Sequence, residues 1–249
     1  ITFFTTPYSL SLVDFIDDYV SAYKVGSGDI TWIEIINHIA SKGKPYFIAT
    51  GAFSMLDVER AVNSAVNINP NLCLMQCNTN YTADLNNFKH INLNVLRLFR
   101  RRFPELLLGL SDHTPGHSTV LGAVALGAKV IEKHFTNDIS QDGPDHKFAM
   151  DQSTWSDMVE RTNELTLALG NGEKKVEDNE TDTAIVQRRS IFLRNDLKAG
   201  DIITKSNLQV LRPSPNNTIQ PYDINKIIGM KVLLDKKAGE SLKWIDIVQ

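Results

Sequence analysis

Short apolar or β-branched runs alternate with amphipathic segments along the first two thirds of the chain. Ile1 to Pro7 reads as a β run, and Leu10, Val13, Ile16 and Val20 then recur at helical spacing. Tyr23 to Ser27 predicts the next strand. Thr31 and Glu34 have the spacing of a capping box on a helix through Ala40, which Gly43 and Pro45 close. Tyr46 to Thr50 predicts a third strand, and Ser54 with Asp57 starts the following helix. Leu72 to Cys77 makes a fourth strand, a helix around Leu93 to Phe103 follows, and Leu106 to Leu110 makes a fifth. A helical segment from Ser118 to Leu126 stops at Gly127, and Val130 to His134 is the sixth strand pattern. Asp151 caps a last long helix with Trp155, Met158, Val159, Thr162, Leu165 and Leu169 on its inner face, and Gly170 ends it.

Strands separated by single helices are parallel, because a crossover of that length brings the chain back in the same direction. The pattern predicts an α/β fold, either doubly wound or a (β/α)8 barrel. Six strand patterns fall short of eight. Composition changes at Asn171 to Thr183, which is polar, charged and without periodicity, so residues 171–184 read as a linker between units at 1–170 and 185–249. Beyond it, Asp196-Leu197-Lys198-Ala199-Gly200-Asp201 echoes Asp235-Lys236-Lys237-Ala238-Gly239-Glu240, 39 positions later. Each copy sets a Gly turn between short β runs, which predicts a small pseudo-symmetric β-rich domain.

Composition narrows the class without naming a chemistry. The formal net charge of −3 gives no basic footprint for nucleic acid. Arg97, Arg100, Arg101 and Arg102 read as a solvated helix face. No apolar stretch approaches the ~20 residues of a membrane span. Two cysteines, Cys73 and Cys77, form no disulfide framework, so a reducing, cytoplasmic setting is expected. They lie four apart in a strand and make no zinc motif.

The candidate chemistry is concentrated between Leu110 and Met150, where His113, His134, Asp145 and His146 fall within one βαβ-sized span. His113 and His134 follow consecutive strand patterns, so both lie near strand carboxyl ends, where parallel folds place their sites. A strand-end histidine is by itself usually a packing residue. Two imidazoles on neighbouring rigid strands, however, can share one divalent ion.

SDHTPGH at Ser111 to His117, VIEKHF at Val130 to Phe135 and GPDH at Gly143 to His146 resemble the sialic acid synthase family. KVGSGD at Lys24 to Asp29 and ATG at Ala49 to Gly51 fit the same pattern. Residues 185–249, with Arg188-Arg189-Ser190, Leu211-Arg212-Pro213 and Ile228-Gly229-Met230-Lys231, resemble the antifreeze-like SAF domain that ends these enzymes. The resemblance implies a (β/α)8 barrel whose first two strands are lacking here, followed by that domain. It implies condensation of phosphoenolpyruvate with an N-acylated hexose, N-acetylmannosamine or a diacetamido-dideoxy hexose, to a nine-carbon 2-keto acid.

By residue, the resemblance implies a divalent metal on His113 and His134, usually manganese, with magnesium or cobalt as alternatives. It implies phosphoenolpyruvate contacts at Lys24, Ser27, Ser111 and Thr6, and sugar contacts at Tyr81, Asp145 and Arg212. Asp145 lies near the metal, and Arg212 reaches a partner subunit's site in a domain-exchanged homodimer. Ala49, Thr79 and Gln76 depart from the family's serine, asparagine and histidine. The family's water-activating glutamate and a second phosphate-binding lysine are not seen, so the chain as given is expected to be weakly active or inactive. Two other readings are a metal-dependent 3-deoxy-2-keto acid synthase or aldolase acting on a phosphorylated sugar, and a non-catalytic carbohydrate-binding protein.

Overall fold

In the computed structural model, which describes residues Ile1–Gln249, the chain divides into two compact units, Ile1–Gly172 and Glu173–Gln249. The first unit alternates α1 (Leu10–Ile16), β1 (Tyr23–Val25), α2 (Ile33–Ser41), β2 (Tyr46–Ala49), α3 (Met55–Ala65) and β3 (Leu72–Cys77). It continues through α4 (Val95–Arg102), β4 (Leu107–Asp112), α5 (Ser118–Ala125), β5 (Val130–Lys133) and α6 (Gln152–Leu169). All five strands are parallel, and each pairs only with its neighbour in the chain, in the order β1-β2-β3-β4-β5.

That order decides between the two expected architectures. A doubly wound sheet reverses direction at a switch point, and no reversal occurs here. Right-handed crossovers that always step the same way leave every helix on one side, so the sheet curls as an arc of a barrel. The packing agrees. Tyr23, Val25, Tyr46, Ile48, Leu72, Leu74, Leu108 and Leu110 share one core with Ile35, Ile36, Ile39, Val58, Val62, Leu96, Phe99 and Ala123 from α2 to α5. Strand side chains alternate, so Lys24, Phe47, Ala49, Cys73, Met75, Cys77, Gly109, Ser111, Val130 and Glu132 face the opposite, inner side. Gly109 suits that side: a Cβ there would lie 2.9 Å from the Val130 carbonyl and 3.0 Å from Met75 Cγ.

Several boundaries depart from the sequence expectation. Ile1 to Pro7 forms no strand of its own; only Thr5 bridges to Tyr23, and the Lys24 N–H donates to the Thr5 carbonyl at 3.0 Å. The β1 ladder ends at Val25, because a 3-10 turn at Ser27–Asp29 takes over. Thr31 does not cap α2, whose N-cap is Trp32 without a side-chain bond, since that turn runs almost directly into the helix. The Ser54/Asp57 capping box forms as expected, and Asp151 caps α6 through Thr154. On α6 only Met158 is buried, and Val159 and Leu169 are exposed. The four arginines at 97 and 100–102 are all exposed; Arg102 pairs with Glu59 at 2.6 Å.

Within residues 171–184, the expected linker, a 3-10 turn at Asp178–Glu180 leads into α7 (Thr181–Gln187), with Glu177 and Glu180 capping the turn reciprocally. The rest of the second unit is small and β-rich: β6 (Ser190–Leu193) pairs antiparallel with β7 (Leu208–Leu211), α8 (Ile224–Ile227) follows, and β8 (Lys231–Val232) pairs with β9 (Ile247–Val248). The internal echo is a physical pseudo-symmetry. Asp196 accepts from the Ala238 N–H and pairs with Lys237; its counterpart Asp235 accepts from the Ala199 N–H and pairs with Lys198, all four contacts at 2.9 Å. The Thr204/Asn207 and Lys243/Asp246 caps repeat the same 39-residue offset. No helix is long and apolar enough to cross a membrane.

Candidate active site

The carboxyl ends of β3, β4 and β5 bring the sequence candidates together. His113 follows Asp112, the last residue of β4, and His134 follows Lys133, the last of β5; their ring centroids are 5.2 Å apart. His113 is buried, and its Nδ1 lies 2.9 Å from the Asn78 carbonyl in the loop after β3. A ring nitrogen facing a carbonyl must carry the proton, which leaves His113 Nε2 as a lone-pair donor. Burial, and then the neighbouring His134, push the His113 pKa below its ordinary value, although the Asn78 carbonyl opposes the shift. Neutral imidazole is the ligating form.

His134 Nδ1 lies 3.4 Å from an Asp145 carboxylate oxygen. The His134 carbonyl accepts from the Met150 N–H at 2.9 Å, which folds the Gly143 to Met150 turn back over the strand end. Phe148, buried, walls both imidazoles at centroid distances of 5.9 and 5.0 Å. Tyr81 packs on His113 at 4.3 Å and meets His134 edge-on at 6.1 Å. His146 does not join this group; its Nδ1 is buried without a partner in its own turn.

The second half of the site lies on the inner face. Ser27 Oγ accepts from the Gly51 N–H at 3.0 Å, and the Cys77 thiol lies beside the Ser27 and Ser111 hydroxyls. Burial raises the Cys77 pKa, opposed by those hydroxyls. Gly51 is needed here: a Cβ would fall 2.6 Å from Thr79 Cγ2 and 3.1 Å from Ser27 Oγ. Lys24, within β1 and not at its end, sits 3.3 Å from Glu132 Oε2 on β5, across the arc. That oxygen is buried without a hydrogen bond, so the pair attracts through space but is misaligned. Thr6 is half-buried beside the Gly26 turn that carries Ser27.

One sequence candidate, Arg212, falls outside this cluster. Gln76, which stands in place of a family histidine, points to the helix layer and donates to the Ile91 carbonyl at 2.9 Å, so it does not line the inner face. Arg212 is exposed in the second unit, at the end of β7. Glu132 and the ion pair between Asp112 and Lys133 were not among the sequence candidates, and Cys77 figured there only as no part of a zinc motif. Strand alternation from Ser111 and His134 points to the inner position of Cys77 and Glu132 once the register is known.

A divalent cation fits the two imidazoles on chemical grounds. His113 and His134 offer imidazole nitrogens from the ends of adjacent strands, with Asp145 alongside. No cluster of three or more histidine, cysteine or carboxylate side chains suited to an ion is assembled, so such an ion would keep positions open for water or substrate oxygens.

Residues 1–174 match the NeuB family, and residues 188–248 match the SAF domain. The chain belongs to the NeuB family. It is 36% identical over 98% of its length to an N,N'-diacetyllegionaminic acid synthase of Legionella pneumophila, covering 68% of that protein. It is 28% identical over 98% of its length to a pseudaminic acid synthase of Helicobacter pylori, covering 71% of it. Among solved structures, an N-acetylneuraminic acid synthetase of Leptospira borgpetersenii superposes with a TM-score of 0.68 at 27% identity. That match covers 74% of this chain and 63% of the other. The expectation of an enzyme with a C-terminal SAF domain therefore holds, and these named relatives are acid synthases.

Proposed function

We propose that the protein is a nonulosonic acid synthase that joins phosphoenolpyruvate to an N-acylated hexose and releases phosphate. The diacetamido-dideoxy class is the acceptor favoured, because the relative at 36% identity is named for a diacetylated product. One observation carries the reading. Two imidazoles from consecutive strand ends converge at 5.2 Å, next to an inner face that presents Lys24, Ser27 and Ser111.

Phosphoenolpyruvate carries about three negative charges near neutral pH, so its site must offer a cation and hydroxyl donors. Lys24 supplies the charge, and the Ser27, Ser111 and Thr6 hydroxyls supply donors. Carbon 3 of the enol attacks the open-chain aldehyde carbon, forming the new C–C bond while charge moves to the aldehyde oxygen. Water adds to carbon 2, and phosphate leaves with its bridging oxygen. A divalent metal on His113 and His134, manganese in the family, would supply Lewis-acid stabilisation to the aldehyde oxygen. Asp145 and Tyr81, on the imidazole side, hold sugar hydroxyls in this reading, and Phe148 walls that side. The arc itself fits a closed (β/α)8 barrel, since strands paired only to chain neighbours close by adding units at both edges. Arg212 is assigned to a partner copy's sugar site in a homodimer.

The test is to incubate the complete gene product with manganese, phosphoenolpyruvate and a panel of N-acyl hexoses, following phosphate release. Release with a diacetamido-dideoxy hexose is expected. No release with any non-phosphorylated N-acyl hexose overturns the reading.

A further inference from the structure

Asp112 and Lys133 are direct Cα partners across β4 and β5, and their side chains meet at 2.7 Å with only 1% of each exposed. By alternation both point to the helix layer, away from the inner face that holds His113 and His134. The network is closed. Lys133 Nζ also donates to the Thr114 carbonyl at 2.6 Å. Asp112 accepts from the Thr114 N–H at 3.2 Å, from the Thr114 hydroxyl at 2.9 Å and from the Thr119 hydroxyl at 2.6 Å.

The sequence neighbours of these groups are the two imidazoles. Asp112 precedes His113, Thr114 follows it, and Lys133 precedes His134. One ammonium group therefore grips both flanks of His113, through the Asp112 carboxylate and the Thr114 carbonyl, from the residue to which His134 is attached. Burying such a pair gives little net stability, because desolvation offsets the attraction. What a saturated pair does fix is register and spacing, and a shared ligand needs spacing held to within about 0.5 Å.

We propose that Asp112 and Lys133 are a positioning pair that sets the separation of His113 and His134 and so the affinity of the site for a divalent cation. This rests on reading the two imidazoles as cation ligands. It adds a requirement that neither imidazole shows by itself: the site depends on two residues that never touch the ion or the substrate.

The test uses the double substitution D112N/K133M in the full chain, which removes both charges, keeps side-chain volume and leaves no uncompensated ion. Manganese binding is measured by the loss of the free-ion electron paramagnetic resonance signal, with thermal unfolding measured in parallel. A folded double variant that binds manganese at least about tenfold more weakly than the parent is expected, the range found for outer residues that orient ligands. Unchanged affinity in a folded double variant overturns the proposal. Should that variant not fold, Thr119→Val decides: it removes one donor to Asp112 and leaves the ion pair. A two- to fivefold weakening, roughly, is then expected, and no change overturns the proposal. His113→Ala and His134→Ala are run alongside. If neither weakens manganese binding, the ligand reading fails, and that outcome is distinct from a failure of the positioning pair.

Discussion

The sheet carries two lysine–carboxylate pairs, one on each face, and they differ in every respect that matters to chemistry. On the helix side, Lys133 and Asp112 are 2.7 Å apart, almost wholly buried, and every polar atom in the network has partners. On the inner side, Lys24 and Glu132 are 3.3 Å apart, the Glu132 side chain is 39% exposed, and its buried oxygen has no hydrogen bond. A saturated pair can accept nothing further. An incompletely satisfied cation on an open face retains donors for a ligand, which is what an anionic substrate needs.

Removing either imidazole should have the largest effect on the inner face. His113→Ala and His134→Ala are each expected to lower phosphate release at least about 100-fold and to abolish manganese binding in titrations. Normal turnover in either variant would separate that residue from the ion.

The two lysines give the most direct contrast. Lys133→Met strands a buried carboxylate and should cost about 3–5 kcal/mol in urea unfolding. Lys24→Met should change stability by less than about 1 kcal/mol, because its pair is partly solvated and misaligned, while raising the KM for phosphoenolpyruvate by tenfold or more. Equal stability losses would erase the distinction between the faces.

Gly51→Ala tests the inner face more gently. Its Cβ would press on Thr79 Cγ2 and Ser27 Oγ, so a loss of roughly 1–3 kcal/mol is expected, together with weaker phosphoenolpyruvate binding. Smallest is the pH effect. His113 has a folded-state pKa below its ordinary value near 6.5, so the unfolded chain binds the proton more readily. Its contribution to stability is complete above that value and declines as pH falls through it toward the folded pKa. His113→Gln should flatten that slope in pH-dependent unfolding.

Local features were legible where the signal was local. Ser54 with Asp57, Asp151 before α6 and Gly127 after α5 mark helix ends through capping bonds or backbone preference, and the structure uses all three. The convergence of His113 and His134 was legible as well, because both follow apolar strand runs in consecutive βα units. Thr31/Glu34 misled because a 3-10 turn fills the space a cap would take. The α6 stripe misled because helical spacing reports a face without saying what covers it. The ion pairs were not legible. Lys24 meets Glu132, and Asp112 meets Lys133, only through the strand register and curl, which charge spacing along a chain does not encode.

On this reading of the site, His113 and His134 share one cation. The most direct check is anomalous scattering near the manganese edge from crystals soaked in manganese. One strong peak roughly 2.0–2.3 Å from Nε2 of both rings is expected. A peak bound to one ring alone, or none between them, would contradict it.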